Sequence, residues 1–212
     1  MRFHLKIVTY LVIFITFMTS ALAAGPEELS SLLGGIKTMR AGFIQTIYDN
    51  HGKAVQKSTG SMALERPGKF RWEVKKPIPQ MIIANTERLW IYDPDLQQVT
   101  IRSLKTEAGE APALLLSHQN TTLEKNYSIE VIKQDGSLRW FLLKPRQNDN
   151  MFASVKMGFA SNNQLQEMVM EDQIGHTTRV KFQQIVMNAA LPSSLFVFKA
   201  PAGTDVIDET KR

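Results

Sequence analysis

Residues that could carry out acid–base or metal chemistry are few and far apart in this sequence. It contains no cysteine, and its histidines beyond the first four residues are His51, His118 and His176. Each of the three lies in or beside a predicted turn or helix end, without a partner at the spacing that metal ligands require. Neither the metalloprotease pattern HExxH nor the hydrolase pattern GxSxG occurs. Surface roles are therefore favoured for these histidines over catalysis or metal binding, and nothing supports an exported hydrolase.

Methionine is the other residue type that could bind a metal here. Met168 and Met170 share one face of a predicted strand, and Met151, Met157 and Met187 lie in the same half of the chain. Clustered thioethers can bind Cu(I). Methionine is more often a flexible filler of apolar cores, and no cysteine or suitable histidine completes a copper site. We therefore interpret these methionines as core residues.

The first 23 residues have the features of a secretory signal peptide. Arg2 and Lys6 form a basic head, residues 7–18 are apolar, and residues 21–23 are a small-residue cleavage site. The apolar run is shorter than the roughly 20 residues that span a bilayer, which disfavours an uncleaved anchor. We expect cleavage after residue 23, and no lipid on the new N-terminus because the next residue is not cysteine. Residues 24–212 then form one exported domain, without a basic block that would indicate nucleic-acid binding.

Most of the remaining chain alternates apolar and polar residues over short segments, as β-strands do. Turn-forming pairs such as Asp135-Gly136 and Asn162-Asn163 separate these segments. The pattern predicts a long antiparallel meander of about eleven strands. The candidate strands lie at 39–46, 60–65, 69–74, 80–84, 88–93, 98–102, 127–132, 138–143, 152–159, 165–171, 177–186 and 195–198.

Two short segments favour helices. Leu29, Leu33 and Ile36 form one apolar face after Pro26, and the apolar run APALLLSH occupies residues 111–118. Two such helices cannot densely cover the apolar face of so many strands. We therefore expect the sheet to curl into an open, incomplete barrel around an apolar hollow, which is a common setting for a ligand. A well-packed sandwich is the alternative, and the pattern alone does not decide between them.

The stretch SMALERPGKFRWEV, residues 61–74, interrupts a strand pattern with an Arg-Pro pair and then continues it with two large aromatic residues. Pro67 favours an extended conformation at Arg66, so the arginine side chain projects from the strand. The residues alone favour a solvated Arg66 at a strand end, and core positions for Phe70 and Trp72.

These same residues resemble a known family. RPGKFRWEV, QMIIAN and LWIYDPDLQQVT, together with RAGFIQT upstream and FVFKAPAGTDV near the end, resemble the LolA family of outer-membrane lipoprotein carriers. The resemblance implies a mainly β fold, an open incomplete β-barrel with a helical lid over a hydrophobic cavity. It implies a monomeric periplasmic chaperone that takes lipoproteins from the transporter LolCDE and passes them to the acceptor LolB. It implies neither enzyme activity nor a cofactor.

The resemblance also assigns roles to particular residues. It implies that Arg66 fastens the lid in the empty form, with carbonyl groups around 111–118 as acceptors. The remaining candidates would line the cavity or its entrance, where they touch lipid or the transporter: Leu33, Phe43, Phe70, Trp72, Leu114 and Leu115. A related periplasmic half-barrel that senses lipid and regulates a membrane partner is the alternative, although such proteins usually carry a second domain.

Overall fold

A computed structural model describes residues 24–103, 116–117, 120–133, 136–147 and 152–211. The predicted signal peptide at residues 1–23 lies outside these ranges, as does most of the predicted helical segment 111–118. No helix in the described ranges is long and apolar enough to span a bilayer.

The described chain contains two α-helices, α1 (Ala24–Gly34) and α2 (Asn120–Asn126), and twelve strands. The strands of the first half are β1 (Thr38–Tyr48), β2 (Ala54–Glu65), β3 (Lys69–Lys76), β4 (Gln80–Ala84), β5 (Arg88–Asp93) and β6 (Gln98–Ser103). Those of the second half are β7 (Tyr127–Ile132), β8 (Arg139–Pro145), β9 (Phe152–Phe159), β10 (Leu165–Asp172), β11 (Thr177–Met187) and β12 (Asp205–Asp208).

All twelve strands belong to one open sheet. Their order is β12-β6-β5-β4-β3-β2-β1-β11-β10-β9-β8-β7, so the sheet ends at β12 and β7 and does not close into a barrel. Neighbouring strands are antiparallel, except that β12 runs parallel to β6. The predicted mainly β, open and incomplete architecture is therefore confirmed.

The end of the chain differs from the prediction. Residues 195–198 were predicted to be a strand, but Ser193–Phe196 form a 3₁₀ turn and the last strand comes later, at β12. Phe196 is buried, and the ring of Phe198 lies 5.4 Å from that of Tyr92. The alternating apolar residues of this segment thus pack against side chains of the sheet, and the segment forms no strand of its own.

Helix α1 lies on the inner face of the sheet, which we define as the face that carries Phe43 and Trp72. Leu29 and Leu33 of the helix, and Ile36 just after its end, share one buried apolar cluster with inner-face residues from both halves of the sheet. A single cluster can join distant strands only if the sheet curves around the helix. The apolar face of α1 thus occupies part of the space that the curved sheet surrounds, and Leu116 and Leu123 belong to the same cluster.

Candidate functional site

The inner face is centred on two stacked aromatic rings. Phe43 on β1 and Trp72 on β3 lie with ring centroids 3.6 Å apart and their planes at 14°. Strand β2 runs between β1 and β3, and its Gly60 is paired with both Phe43 and Val74. A Cβ atom on Gly60 would lie 2.6 Å from the Phe43 ring and 2.0 Å from the Glu73 carbonyl oxygen. Only glycine therefore lets the Phe43 ring lie flat across β2 against Trp72.

Phe70 and Leu33 lie on the apolar side of this stack. The Phe70 ring is 6.2 Å from Trp72 and has no exposed surface, and Leu33 of α1 is 1% exposed. Phe43 and Trp72 are also buried. Leu33 of α1 thus joins Phe43, Phe70 and Trp72 of the sheet in one buried cluster, where a partner cannot reach Phe70 in this conformation.

Arg66 holds the end of α1 to this cluster. Its Nη1 atom donates a hydrogen bond to the Leu33 carbonyl oxygen, and its backbone N–H donates to the Lys37 carbonyl oxygen at 2.9 Å. The Leu33 carbonyl belongs to the last turn of α1, where the partial negative charge of the helix dipole attracts a cation. Burial lowers the pKa of Arg66. A half-buried guanidinium thus replaces some of its lost hydration with a contact to a helix C-terminus.

The turn after Arg66 also reaches the predicted lid. The N–H of Gly68 donates a hydrogen bond of 2.9 Å to the carbonyl oxygen of Ser117, which is fully buried beside Leu116. The resemblance implied that the arginine side chain would bond to carbonyl groups around residues 111–118, and this stays a prediction because most of that segment lies outside the described ranges. In the described residues, the Arg66 side chain bonds to α1, and the neighbouring glycine N–H bonds to the lid segment. Leu114 and Leu115 lie outside the described residues, so their predicted roles stay predictions.

A groove opens on the inner face at the opposite end from α1. It has a volume of about 190 Å³, and Trp72 and Ile82 form part of its floor. Its polar lining consists of Gln45, Gln56, Ser58, Gln80 and Asp93. None of these five polar residues was among the predicted site residues. The sequence did contain a signal for Gln45. It occupies the next inward-facing position of β1 after Ala41 and Phe43, but its side chain is polar.

Comparisons with known proteins agree with this architecture. The family described as outer membrane lipoprotein carrier protein LolA matches residues 34–199. The outer-membrane lipoprotein carrier protein of Dechloromonas aromatica is 39% identical over 187 residues, which is 88% of this chain and 89% of the relative. The protein of the same name from Chromobacterium violaceum is 41% identical over 187 residues, with the same two coverages of 88% and 89%.

Solved structures show the same fold at low sequence identity. An uncharacterized conserved protein from Thermus thermophilus has a TM-score of 0.54 and 12% identity, with 86% of this chain and 99% of that chain covered. With the family match over residues 34–199 and relatives of about 40% identity along nearly their whole length, the chain belongs to the LolA family of outer membrane lipoprotein carrier proteins.

Proposed function

We propose that this protein is a periplasmic carrier that shields the acyl chains of lipoproteins between the inner and outer membranes. In this proposal residues 1–23 are removed during export, and the mature monomer takes its cargo from the transporter LolCDE. It then delivers the cargo to LolB, without a catalytic step of its own. The observation that carries the proposal is an open sheet whose apolar inner face packs, within the described residues, against the short helix α1, which Arg66 fastens at its end.

A lipoprotein needs such a carrier because its anchor does not leave a membrane unaided. Each buried acyl CH₂ group contributes about 0.8 kcal/mol to membrane retention, so several acyl chains hold the protein in place indefinitely. A water-soluble carrier must replace the bilayer with apolar surface of its own. The buried cluster under α1 supplies that surface if the helix moves away.

Competition between α1 and the acyl chains for the inner face also accounts for release of the cargo. Fully burying Leu29, Leu33 or Ile36 stabilises the empty form by about 1.5–3 kcal/mol per side chain. An acyl chain that takes the place of the helix gains similar contacts while the helix loses its own. The net affinity is then a small difference between two large terms, which suits a reversible carrier.

The lining of the cluster suits ligands of variable shape. Met39, Met62, Met157, Met168 and Met170 are buried within it. Methionine has an unbranched, flexible and polarizable side chain, so it repacks around different neighbours at low cost. These residues, several of which the sequence indicated as core fillers, would let the cluster adjust to acyl chains.

The direct test is release of a lipoprotein from energised membranes. Inner-membrane vesicles that contain the transporter and a labelled triacylated lipoprotein are incubated with mature protein and ATP, then sedimented. We expect the label in the supernatant, bound to the carrier, and in the pellet when ATP or carrier is omitted. Label that stays in the pellet with an active transporter present refutes the proposed function.

A further inference from the structure

The inner face of the first half of the sheet changes from apolar to polar along the strands. Strand register places its residues in successive rows. The row nearest the Arg66 turn holds Leu64, Phe70, Ala84 and Leu89. The second row holds Met62, Trp72, Ile82 and Ile91. The third row holds Gly60, Val74 and Gln80. Farther along β2, Ser58 is paired with Gln45 of β1. Ser58 lies six residues from Leu64, which is about 20 Å at the rise of a β-strand.

The polar end of this gradient is the groove, which combines the apolar side chains of Trp72, Val74, Ile78 and Ile82 with the polar ones of Gln45, Gln56, Ser58, Gln80 and Asp93. Within the described residues, the side-chain amides of Gln45 and Gln80 make no hydrogen bond, and Gln56 donates to Ser58 Oγ at a long 3.4 Å. Each glutamine amide offers donors and an acceptor together, as a peptide group does. The groove therefore presents unused, uncharged hydrogen-bonding groups directly beside the buried Trp72.

The chemistry of the groove disfavours both an acyl chain and a lipid phosphate. An acyl chain over Gln45 and Gln80 would remove their amides from water without giving them partners, which is costly. A phosphate needs cationic or N–H donors, but no lysine or arginine of the described residues lines the groove and Asp93 contributes a carboxylate. An uncharged chain of amide and ester groups fits both the polarity and the lack of positive charge in this lining.

We propose that this groove binds the polar N-terminal region of the cargo lipoprotein. Its ligand is the amide and glyceryl ester groups of the acylated cysteine together with the first peptide residues that follow. The acyl chains then extend past Trp72 toward Leu64 and Phe70, so the polarity gradient sets the direction of the cargo. This inference rests on the proposed carrier function and adds to it a second binding site with its own chemistry.

The first test uses the unaltered mature protein and two synthetic ligands. One is a triacylated cysteine followed by a short uncharged peptide, and the other carries the same acyl chains on a cysteine amide without the peptide. We expect the peptide-bearing ligand to bind about tenfold more tightly, as one or two neutral hydrogen bonds would give. Equal affinities overturn the inference but leave the carrier function intact, whereas no binding of either ligand overturns both.

The second test assigns the preference to the groove. The double variant Gln45→Leu, Gln80→Leu is compared with Gln183→Leu, which replaces an exposed glutamine of β11 on the outer face. We expect the double variant to lose the roughly tenfold preference for the peptide while it binds the peptide-free ligand like the unaltered protein. A retained preference, or equal loss of both ligands in a variant that melts normally, overturns the assignment. If the double variant does not fold, the comparison of the two ligands on the unaltered protein decides.

Discussion

Replacement of Arg66 by leucine tests how the empty form is held together. The substitution removes the hydrogen bond from Nη1 to the Leu33 carbonyl oxygen and places an apolar side chain beside the cluster. A hydrogen bond from a charged group contributes about 1.5–3 kcal/mol, and the helix dipole adds about 0.3–1 kcal/mol. Leucine avoids the cost of burying a guanidinium, which offsets part of this loss, so we take about 1.5 kcal/mol as the net change.

That change shifts the balance between helix-closed and helix-open forms about tenfold toward the open form. The same shift acts on the loaded carrier, because closure of α1 competes with the acyl chains for the inner face. We therefore expect the Arg66→Leu variant to bind lipoprotein but to release it about tenfold more slowly. Arg66→Lys keeps a cation near the end of α1 without the guanidinium geometry and should give an intermediate rate.

Two measurements check this expectation independently. Transfer of labelled lipoprotein from pre-loaded carrier to LolB gives the release rate of the unaltered protein and both variants. Hydrogen exchange of the empty protein reports the helix, because the N–H groups of Gly35 and Ile36 bond to the carbonyls of Ser31 and Leu33 at 3.0 and 3.1 Å. Equal release together with unchanged exchange at these two amides would refute the reasoning and leave Arg66 as a passive residue at a strand end.

Three further outcomes follow from the structure. Gly60→Ala places a Cβ atom 2.0 Å from the Glu73 carbonyl oxygen. We expect this variant to lose at least about 3 kcal/mol of stability and to unfold at a thermal midpoint about 6–12 °C lower. The control Gly42→Ala, whose new Cβ atom would lie 3.7 Å from its nearest neighbour, should unfold at the normal midpoint. Asn188→Gly can keep the positive φ of 58° but loses the side-chain hydrogen bonds with the Lys37 N–H and the Gly35 carbonyl oxygen. We expect calorimetry to give an unfolding midpoint about 3–6 °C lower, and an unchanged midpoint would contradict a stabilising role of these bonds. The exported protein should begin at Ala24, and mass spectrometry that finds residues 1–23 retained would contradict cleavage.

The strand meander was predictable because each strand carries its own signal. The alternation in KFRWEV places Phe70, Trp72 and Val74 on one face, and the structure has them on the inner face within β3. The alternation of apolar and polar residues gave a wrong prediction where a segment packs on the sheet without hydrogen-bonding to it as a strand. Residues 195–198 have the same alternation, yet they lie across the sheet after Pro192 instead of adding a strand.

The site was predictable in its aromatic residues but not in its connections. Burial of Phe43 and Trp72 follows from their types, whereas their close stack depends on Gly60 of an intervening strand. The bond from the Nη1 atom of Arg66 to the Leu33 carbonyl of α1 was not predicted. The expected bonds of Arg66 to the lid stay a prediction, because most of residues 111–118 lie outside the described ranges. A backbone carbonyl at a helix end has no signature of its own in the sequence, so its partner becomes visible only in three dimensions.

The central pairing of β1 with β11 has a consequence for how the chain folds. Strands β1 to β6 follow one another in the sheet, as do β7 to β11, so each half is a series of local hairpins. The two halves are joined where β1 meets β11, with Phe43 opposite Phe182, residues far apart in the sequence. Contacts between distant residues carry the largest loop-closure entropy and slow folding. We therefore expect each meander to form early and the β1–β11 pairing to set the folding rate, which makes β1 an unpaired and aggregation-prone edge until β11 arrives.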